Sequence, residues 1–341
     1  MSRRQVLDAI RRKPEVTVLI VGGGINGIGV FRDLARQGVD VLLVEKGDFC
    51  SGTSAASSHM VHGGLRYLEN GQFRLVGEAV RERNLLLRNA PHYVQPLPVA
   101  IPVFRWLSGL MNAPLQFMGL RKQPAERGAL VIKIGLTLYD AYARRQCPGG
   151  TLPHHGFILR QSALQRFPRL NPSVKCVASY YDAAVSVPER IGLELVLDAE
   201  SDSPSARAVN YLRLRRAEGG SVTLQDADTG EELVVKPRVV VNASGPWVDI
   251  VNRAMGQDTR FIGGTKGSHI VLQNPGLRAA MGEHEWFFEN ADGRMVLLFP
   301  LGDNVLVGTS DIRVEGPEDV RCTEEEVDYF LGMIGKVFPG I

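Results

Sequence analysis

The run Val16-Thr17-Val18-Leu19-Ile20-Val21 breaks straight into Gly22-Gly23-Gly24-Ile25-Asn26-Gly27, and this junction constrains the fold more than any other stretch. An apolar β-run ending in glycines and followed by a helical pattern reads as the strand, turn and helix of a dinucleotide cradle. Gly22 permits the tight turn, Gly24 lets the backbone approach a pyrophosphate, and Gly27 lets the helix pack close to the strand. The helix N-terminus, with unpaired N–H groups and about half a positive charge, then faces the phosphates. Ile28, Phe31 and Ala35 recur at helical spacing, Gly38 ends the helix, and Val39 to Val44 forms a second strand that delivers Glu45. An acid there suits a ribose hydroxyl and favours FAD or NAD over NADP, without choosing between the first two.

At 341 residues the chain exceeds the size at which one core stops growing, so two domains are expected. Its 39 basic and 37 acidic residues leave a formal charge of +2, which argues against a nucleic-acid partner held by a dominant basic field. Cys50, Cys147, Cys176 and Cys322 form no C-x-x-C pair, so neither a zinc site nor a disulfide framework is indicated. A reduced, cytoplasmic setting follows from that usage. The N-terminus carries Arg3, Arg4, Arg11, Arg12 and Lys13 without a long apolar run, and reads as a solvated helical leader rather than a secretory signal.

The apolar stretch Val103 to Leu120 is interrupted by Asn112, Pro114 and Gln116, and falls short of the roughly 20 residues needed to span a bilayer. Its aromatic and Met-rich character with basic flanks at Arg105, Arg121 and Lys122 suits the membrane interface, and it equally suits a buried helical hairpin. A helix is expected from Gln72 to Asn89, with Leu75, Val76, Ala79, Val80, Leu86 and Leu87 on one face. Another is signalled by Ser186 with Glu189 three residues on. Val209 to Leu214, Ser221 to Leu224 and Leu233 to Val235 read as an antiparallel meander leading into a buried strand, Arg238 to Asn242, that ends in the small residues Ala243, Ser244 and Gly245. Ser268 to Leu272, Trp286 to Glu289, Met295 to Phe299 and Val305 to Gly308 form a further strand-rich region, and Thr323 with Glu326 starts a last helix.

Glu45-Lys46-Gly47-Asp48-Phe49, Ser51-Gly52-Thr53-Ser54, Ser57-Ser58-His59-Met60-Val61-His62-Gly63-Gly64-Leu65-Arg66-Tyr67-Leu68, Lys266-Gly267-Ser268-His269 and Gly308-Thr309-Ser310-Asp311 follow in order. Together they resemble the FAD-dependent glycerol-3-phosphate dehydrogenases, from about Val16 to Ile341. The resemblance implies an α/β fold: an FAD/NAD(P)-binding Rossmann-like domain of the glutathione-reductase and amino-acid-oxidase type, with an antiparallel β substrate domain. The expected division assigns 14–97 and 176–258 to FAD and 98–175 and 259–341 to substrate. It also implies oxidation of sn-glycerol 3-phosphate to dihydroxyacetone phosphate, with electrons passed to quinone, and monotopic membrane contact through Val103 to Leu120. The chain is then expected at the cytoplasmic membrane as a peripheral protein.

The FAD contacts implied by the resemblance are Gly22, Gly24, Ile25, Asn26, Gly27, Glu45, Lys46, Thr53, Ser54, Ser57, Ser58, His62, Gly63, Gly64, Leu65, Leu212, Ala243, Ser244 and Gly245. Taking a hydride from a secondary alcohol requires a group to accept the hydroxyl proton and a clamp to hold the carbon in line. His269 is the expected base, because an imidazole accepts a proton near neutrality. Arg66 can fork onto two phosphate oxygens, with Tyr67 as a further donor. Thr309 and Ser310 are expected to donate to substrate. His59 and His62 flank the flavin loop, and His154-His155 shows no metal pattern. Family members continue past Ile341 with a second substrate arginine, a flavin-closing segment and a helical domain, so the resemblance is to a C-terminally truncated member. Val185-Ser186-Val187-Pro188-Glu189-Arg190 departs from the family's Asp-Asp-Ala-Arg pattern. Two alternatives therefore stand beside the main reading: another FAD oxidoreductase with a different hydroxy or amine substrate, and a non-catalytic remnant.

Overall fold

The computed structural model describes residues 2–69, 71–108, 127–146, 152–290, 294–318 and 320–341. The apolar segment expected at the membrane lies outside the described residues from position 109 onward. Among the described residues no helix is long and apolar enough to cross a membrane. In chain order the strands are β1 (Glu15–Val21), β2 (Val41–Val44), β3 (Met60–Val61), β4 (Val94–Val103), β5 (Gly156–Leu159), β6 (Cys176–Val185), β7 (Ala206–Val209) and β8 (Leu212–Glu218). They continue with β9 (Ser221–Asp226), β10 (Glu232–Asn242), β11 (Thr265–Lys266), β12 (His269–Leu272), β13 (Glu285–Glu289), β14 (Met295–Leu301), β15 (Asn304–Gly308) and β16 (Ile312–Arg313).

Met1–Ser57, Val187–Gly264 and Glu315–Glu318 make one compact unit. Its sheet runs β7-β2-β1-β10-β9-β8, parallel through β10 and antiparallel beyond. From Val18 to Val21 β1 is continuously apolar because both of its faces are covered. Leu19 and Val21 cluster with Val6, Leu7 and Ile10 of the Arg3–Arg12 helix, while Val18 and Ile20 cluster with Ile28, Phe31 and Ala35 of the Ile25–Arg36 helix. The expected solvated leader is therefore a docked amphipathic helix. Ser2 and Gln5 close a capping box at its start, and Arg3 reaches Asp226 at 2.8 Å.

Three local expectations shift for identifiable reasons. Leu233 to Val235 and Arg238 to Asn242 belong to one strand, β10, whose first four residues pair with β9 and whose remainder pairs with β1. Pro237, which cannot donate to a ladder, sits next to this change of partner. Val209 to Leu214 is instead two strands, broken where Tyr211 turns at φ +53° and its N–H donates to the Gly47 carbonyl at 2.9 Å. The helix signalled at Ser186 spans Pro188–Asp202 with Val187 at the N-cap position and no side-chain capping bond, because the Ser186 hydroxyl donates to the Tyr93 carbonyl at 3.4 Å.

Ser58–Ser186, Thr265–Val314 and Asp319–Ile341 make the second unit. Its large sheet runs β12-β15-β14-β13-β4-β6-β3, with β5 added on β6, and β11 pairs separately with β16. All pairs are antiparallel except the short β13–β4 contact. β4 and β6 pair along their whole lengths, Val94 opposite Val185 through Val103 opposite Cys176. The division thus differs from the one expected: residues 58–97 and 176–186 fall in the second unit, because ten ladder positions bind β4 to β6. One core gathers Trp286, Leu298, Phe330 and Phe338; another gathers Val76, Val80, Leu136, Tyr139 and Tyr180. The Glu324–Val337 helix opens with the expected capping box: the Thr323 hydroxyl accepts from Glu326 N–H and the Glu326 carboxylate accepts from Thr323 N–H.

Candidate functional site: a nucleotide cradle and a histidine-bearing face

The first unit builds the cradle from backbone. Gly22 adopts φ +112°, and a Cβ there would lie 2.5 Å from the Ala243 carbonyl oxygen. A Cβ on Gly27 would fall 1.9 Å from the Gly22 carbonyl oxygen, so strand, turn and helix close only around glycine at both positions. Gly24 caps the Ile25–Arg36 helix without any side-chain cap, which leaves the helix start to a nearby acceptor. Ser54 Oγ fills part of that role, accepting from Ile25 N–H at 3.0 Å. Ile25 and Asn26 are exposed.

Glu45 stands at the end of β2 and braces the turn: Oε2 accepts from Gly23 N–H at 2.6 Å and Oε1 from Gly47 N–H at 2.8 Å. A carboxylate offers about four lone-pair sites, so capacity remains for two ribose hydroxyls. Lys46 lies 3.6 Å over the Trp247 ring, and the Trp247 indole N–H donates to Glu318 at 2.6 Å. Ser244 Oγ donates to Asn242 Oδ1 at 2.6 Å, and Gly245 at φ +57° starts a turn of 3-10 helix. Thr53 is exposed and Ser57 half-buried. Leu212 is tied to the acid through its backbone: its N–H donates to the Glu45 carbonyl at 2.7 Å, and its side chain is fully buried in the sheet core. The glycine cradle and the spare capacity of Glu45 fit the adenosine diphosphate half of FAD.

The second unit carries the remaining expected residues. Ser58 and His59 precede β3; His59 holds φ +57°, its Nδ1 lies 3.1 Å from the Val185 carbonyl, and its ring stacks on Phe299 at 5.8 Å. His62 is exposed, with its ring 6.2 Å from Tyr67. Gly64 turns at φ +75°, and a Cβ on it would strike the Tyr67 ring at 2.5 Å. Leu65 and Tyr67 are half-buried on the Leu65–Glu69 helix. The side chain of Arg66 lies outside the described residues.

His269 opens β12 opposite Gly308, where a Cβ would lie 2.2 Å from the imidazole Cδ2. Its Nε2 is buried with no hydrogen-bond partner among the described residues. Burial first, and the neighbouring His59 second, hold its pKa below the ordinary 6.5. Thr309 is half-buried and its hydroxyl donates to the Ser310 carbonyl at 3.2 Å.

Ser310 and Lys266 are spoken for elsewhere. Glu326 accepts from the Ser310 hydroxyl and from the Lys266 ammonium, Ser310 Oγ accepts from Ser268 N–H at 2.9 Å, and Lys266 also donates to the Arg321 carbonyl. All four side chains of that set are buried, so Ser310 and Lys266 fasten the strand ends around His269 to the last helix instead of facing substrate. His154 and His155 both approach Asp140, at 3.4 and 2.7 Å, and no metal-ligand cluster occurs among the described residues.

Sequence reading missed three side chains that meet beneath Gly63: Arg83, Tyr139 and Asp182. A signal existed, since Arg83 continues the buried stripe Val76–Val80 of its helix and Asp182 interrupts the apolar run of β6.

A family model described as FAD dependent oxidoreductase matches residues 17–341. The chain belongs to the FAD dependent oxidoreductase family. Among curated family members it is 37% identical to the glycerol-3-phosphate dehydrogenase of Synechocystis sp., over 97% of this chain and 59% of that protein. It is 35% identical to the D-erythritol 1-phosphate dehydrogenase of Brucella abortus, over 96% of this chain and 61% of that protein. It thus spans about three fifths of the length of these relatives. The solved glycerol-3-phosphate dehydrogenase of Bacillus halodurans complexed with FAD matches 99% of this chain and 56% of its own, with TM-score 0.70 and 23% identity. The FAD-bound glycerophosphate oxidase of Mycoplasma pneumoniae matches 96% of this chain and 79% of its own, with TM-score 0.67 and 17% identity. These two likenesses establish the family's fold for the chain.

Proposed function

We propose that this protein binds FAD and oxidises sn-glycerol 3-phosphate to dihydroxyacetone phosphate. The observation that carries the reading is His269, a buried imidazole whose Nε2 has no partner among the described residues and whose pKa is held below 6.5. Such a ring is neutral at pH 7 and able to take the proton of the C2 hydroxyl. FAD, when bound, supplies the acceptor for the hydride that leaves the same carbon. The glycine cradle and Glu45 hold its nucleotide half, and the loop from His62 to Leu65 supplies backbone to its ring. Arg66 and Tyr67 clamp the phosphate, and Thr309 orients the hydroxyl. The relatives named for glycerol 3-phosphate support the substrate.

Electrons then pass to a membrane quinone, and the apolar stretch expected from Val103 to Leu120 meets the interface of the cytoplasmic membrane beyond β4: Val103 itself is buried at the end of that strand, while Trp106 and Leu107 are exposed. Its basic flanks, Arg105, Arg121 and Lys122, support that placement. A four-carbon polyol phosphate is a second reading, favoured by the D-erythritol 1-phosphate dehydrogenase relative.

The test is anaerobic stopped-flow reduction of the FAD-loaded protein. Bleaching of the flavin band by sn-glycerol 3-phosphate, with slower bleaching by D-erythritol 1-phosphate and none by glycine, is the expected result. Faster reduction by D-erythritol 1-phosphate transfers the reading to that substrate. A protein that takes up no FAD refutes both.

A further inference from the structure

Gly63 rests directly on three buried polar side chains. Asp182 Oδ1 accepts from Gly63 N–H at 3.0 Å, from the Tyr139 hydroxyl at 2.7 Å and from Arg83 Nη1 at 2.6 Å. Arg83 Nη1 also donates to the Tyr139 oxygen at 2.8 Å, while Arg83 Nε and Nη2 donate to Asn84 Oδ1 at 3.2 and 3.1 Å. The three side chains are 1–2% exposed and come from separate elements: the Phe73–Asn89 helix, the Ala129–Gln146 helix and β6.

A buried ion pair is a poor device for stability, because desolvating both charges offsets most of their attraction. What this one achieves is geometric. Three elements converge on one carboxylate oxygen, and that oxygen grips the N–H of Gly63. No slack remains, since a Cβ on Gly63 would lie 2.1 Å from the Tyr139 hydroxyl oxygen and 2.6 Å from Val80 Cγ2. The next residue, Gly64, turns the chain at φ +75° into the Leu65–Glu69 helix. Any shift of Asp182 is therefore passed to the peptide groups from His62 to Leu65.

We propose that Arg83, Asp182 and Tyr139 form the positioning device of the flavin loop, setting the height and direction of the peptide groups that the loop offers to the flavin ring. What the loop faces rests on the FAD reading above. Tyr139 remains a donor at any working pH, because burial first, and then the Asp182 charge, hold its hydroxyl well above the ordinary 10.

The experiment compares wild type with Tyr139→Phe and Asp182→Asn. Amide hydrogen exchange is followed across residues 60–68 of the FAD-free protein, and the reduction potential and visible band of flavin are measured in the loaded protein. Tyr139→Phe removes one donor and keeps the ring; it is expected to raise exchange in the loop about tenfold while leaving β4 and β14 unchanged. The bound flavin of the same variant is expected to shift in potential and in band shape. If Asp182→Asn fails to fold, Tyr139→Phe decides alone. Loop exchange that stays at the wild-type rate, or rises only in step with the whole protein, overturns the device. A loosened loop beside an unaltered flavin potential and band overturns its link to the ring. Failure of the wild type to take up FAD refutes the functional reading separately, since the exchange measurement needs no cofactor.

Discussion

Glu326→Gln should remove about 3 kcal/mol of stability at pH 7 and almost none in strong acid. Burial works to raise the Glu326 pKa, but bonds from Lys266, Ser310, Thr323 N–H and Ser268 more than offset it and bring it from the ordinary 4.5 to about 2. At about 1.4 kcal/mol per pH unit, that difference corresponds to about 3 kcal/mol. Because the folded pKa is depressed, the contribution is fully present above pH 4.5 and lost as pH falls through about 2. An independent route gives a similar size: the variant leaves the Lys266 ammonium, only 7% exposed, facing a neutral amide, and unpairing a buried charge costs about 3–5 kcal/mol. The assay is urea unfolding of wild type and variant at a series of pH values. The gap between the two should be widest at neutrality and shrink steadily below pH 4.5. A gap under about 1 kcal/mol at pH 7 refutes the argument. So does one that stays constant into acid, because the Glu326 charge would then not be what fastens the strand ends around His269.

Three further outcomes follow from the site and the core. His269→Ala should slow flavin reduction about 10²–10⁴-fold with FAD still bound, and in wild type the rate should fall as pH drops through a value below 6.5, where the protonated ring can no longer accept; stopped-flow pH profiles check both. Arg66→Ala should cost phosphate-bearing substrates about 1.5–3 kcal/mol of binding and leave glycerol untouched, which substrate titrations of reduction rate will read; equal losses remove the clamp. Glu285 is fully buried with neither carboxyl oxygen hydrogen-bonded among the described residues, and burial, aided by Asp182, raises its pKa well above 4.5. A raised carboxyl penalises the folded state increasingly above pH 4.5, so Glu285→Gln should gain on wild type as pH rises from there; parallel stability curves refute it.

Much of the cradle was legible because its constraints are local. Gly22, Gly24 and Gly27 answer to a turn within six residues, and Glu45 to the end of the next strand. The Thr323–Glu326 capping box likewise depends on a spacing of three. The Arg3–Arg12 helix reads as solvated because its charges are as dense as a solvated helix's, while in the fold Val6, Leu7 and Ile10 bury one narrow face.

Sequence alone determined the turn-and-helix cradle, the acid beside it and the order of strands that carry the histidine, because glycine conformations and side-chain periodicities act over a few residues. Tertiary structure alone decided which partners the polar groups take. Asp182 grips a peptide 119 positions away, and Lys266 meets Glu326 across 60. A lone charge in an apolar run signals that some partner exists, but its identity depends on how distant strands and helices pack, and nothing in local spacing encodes that.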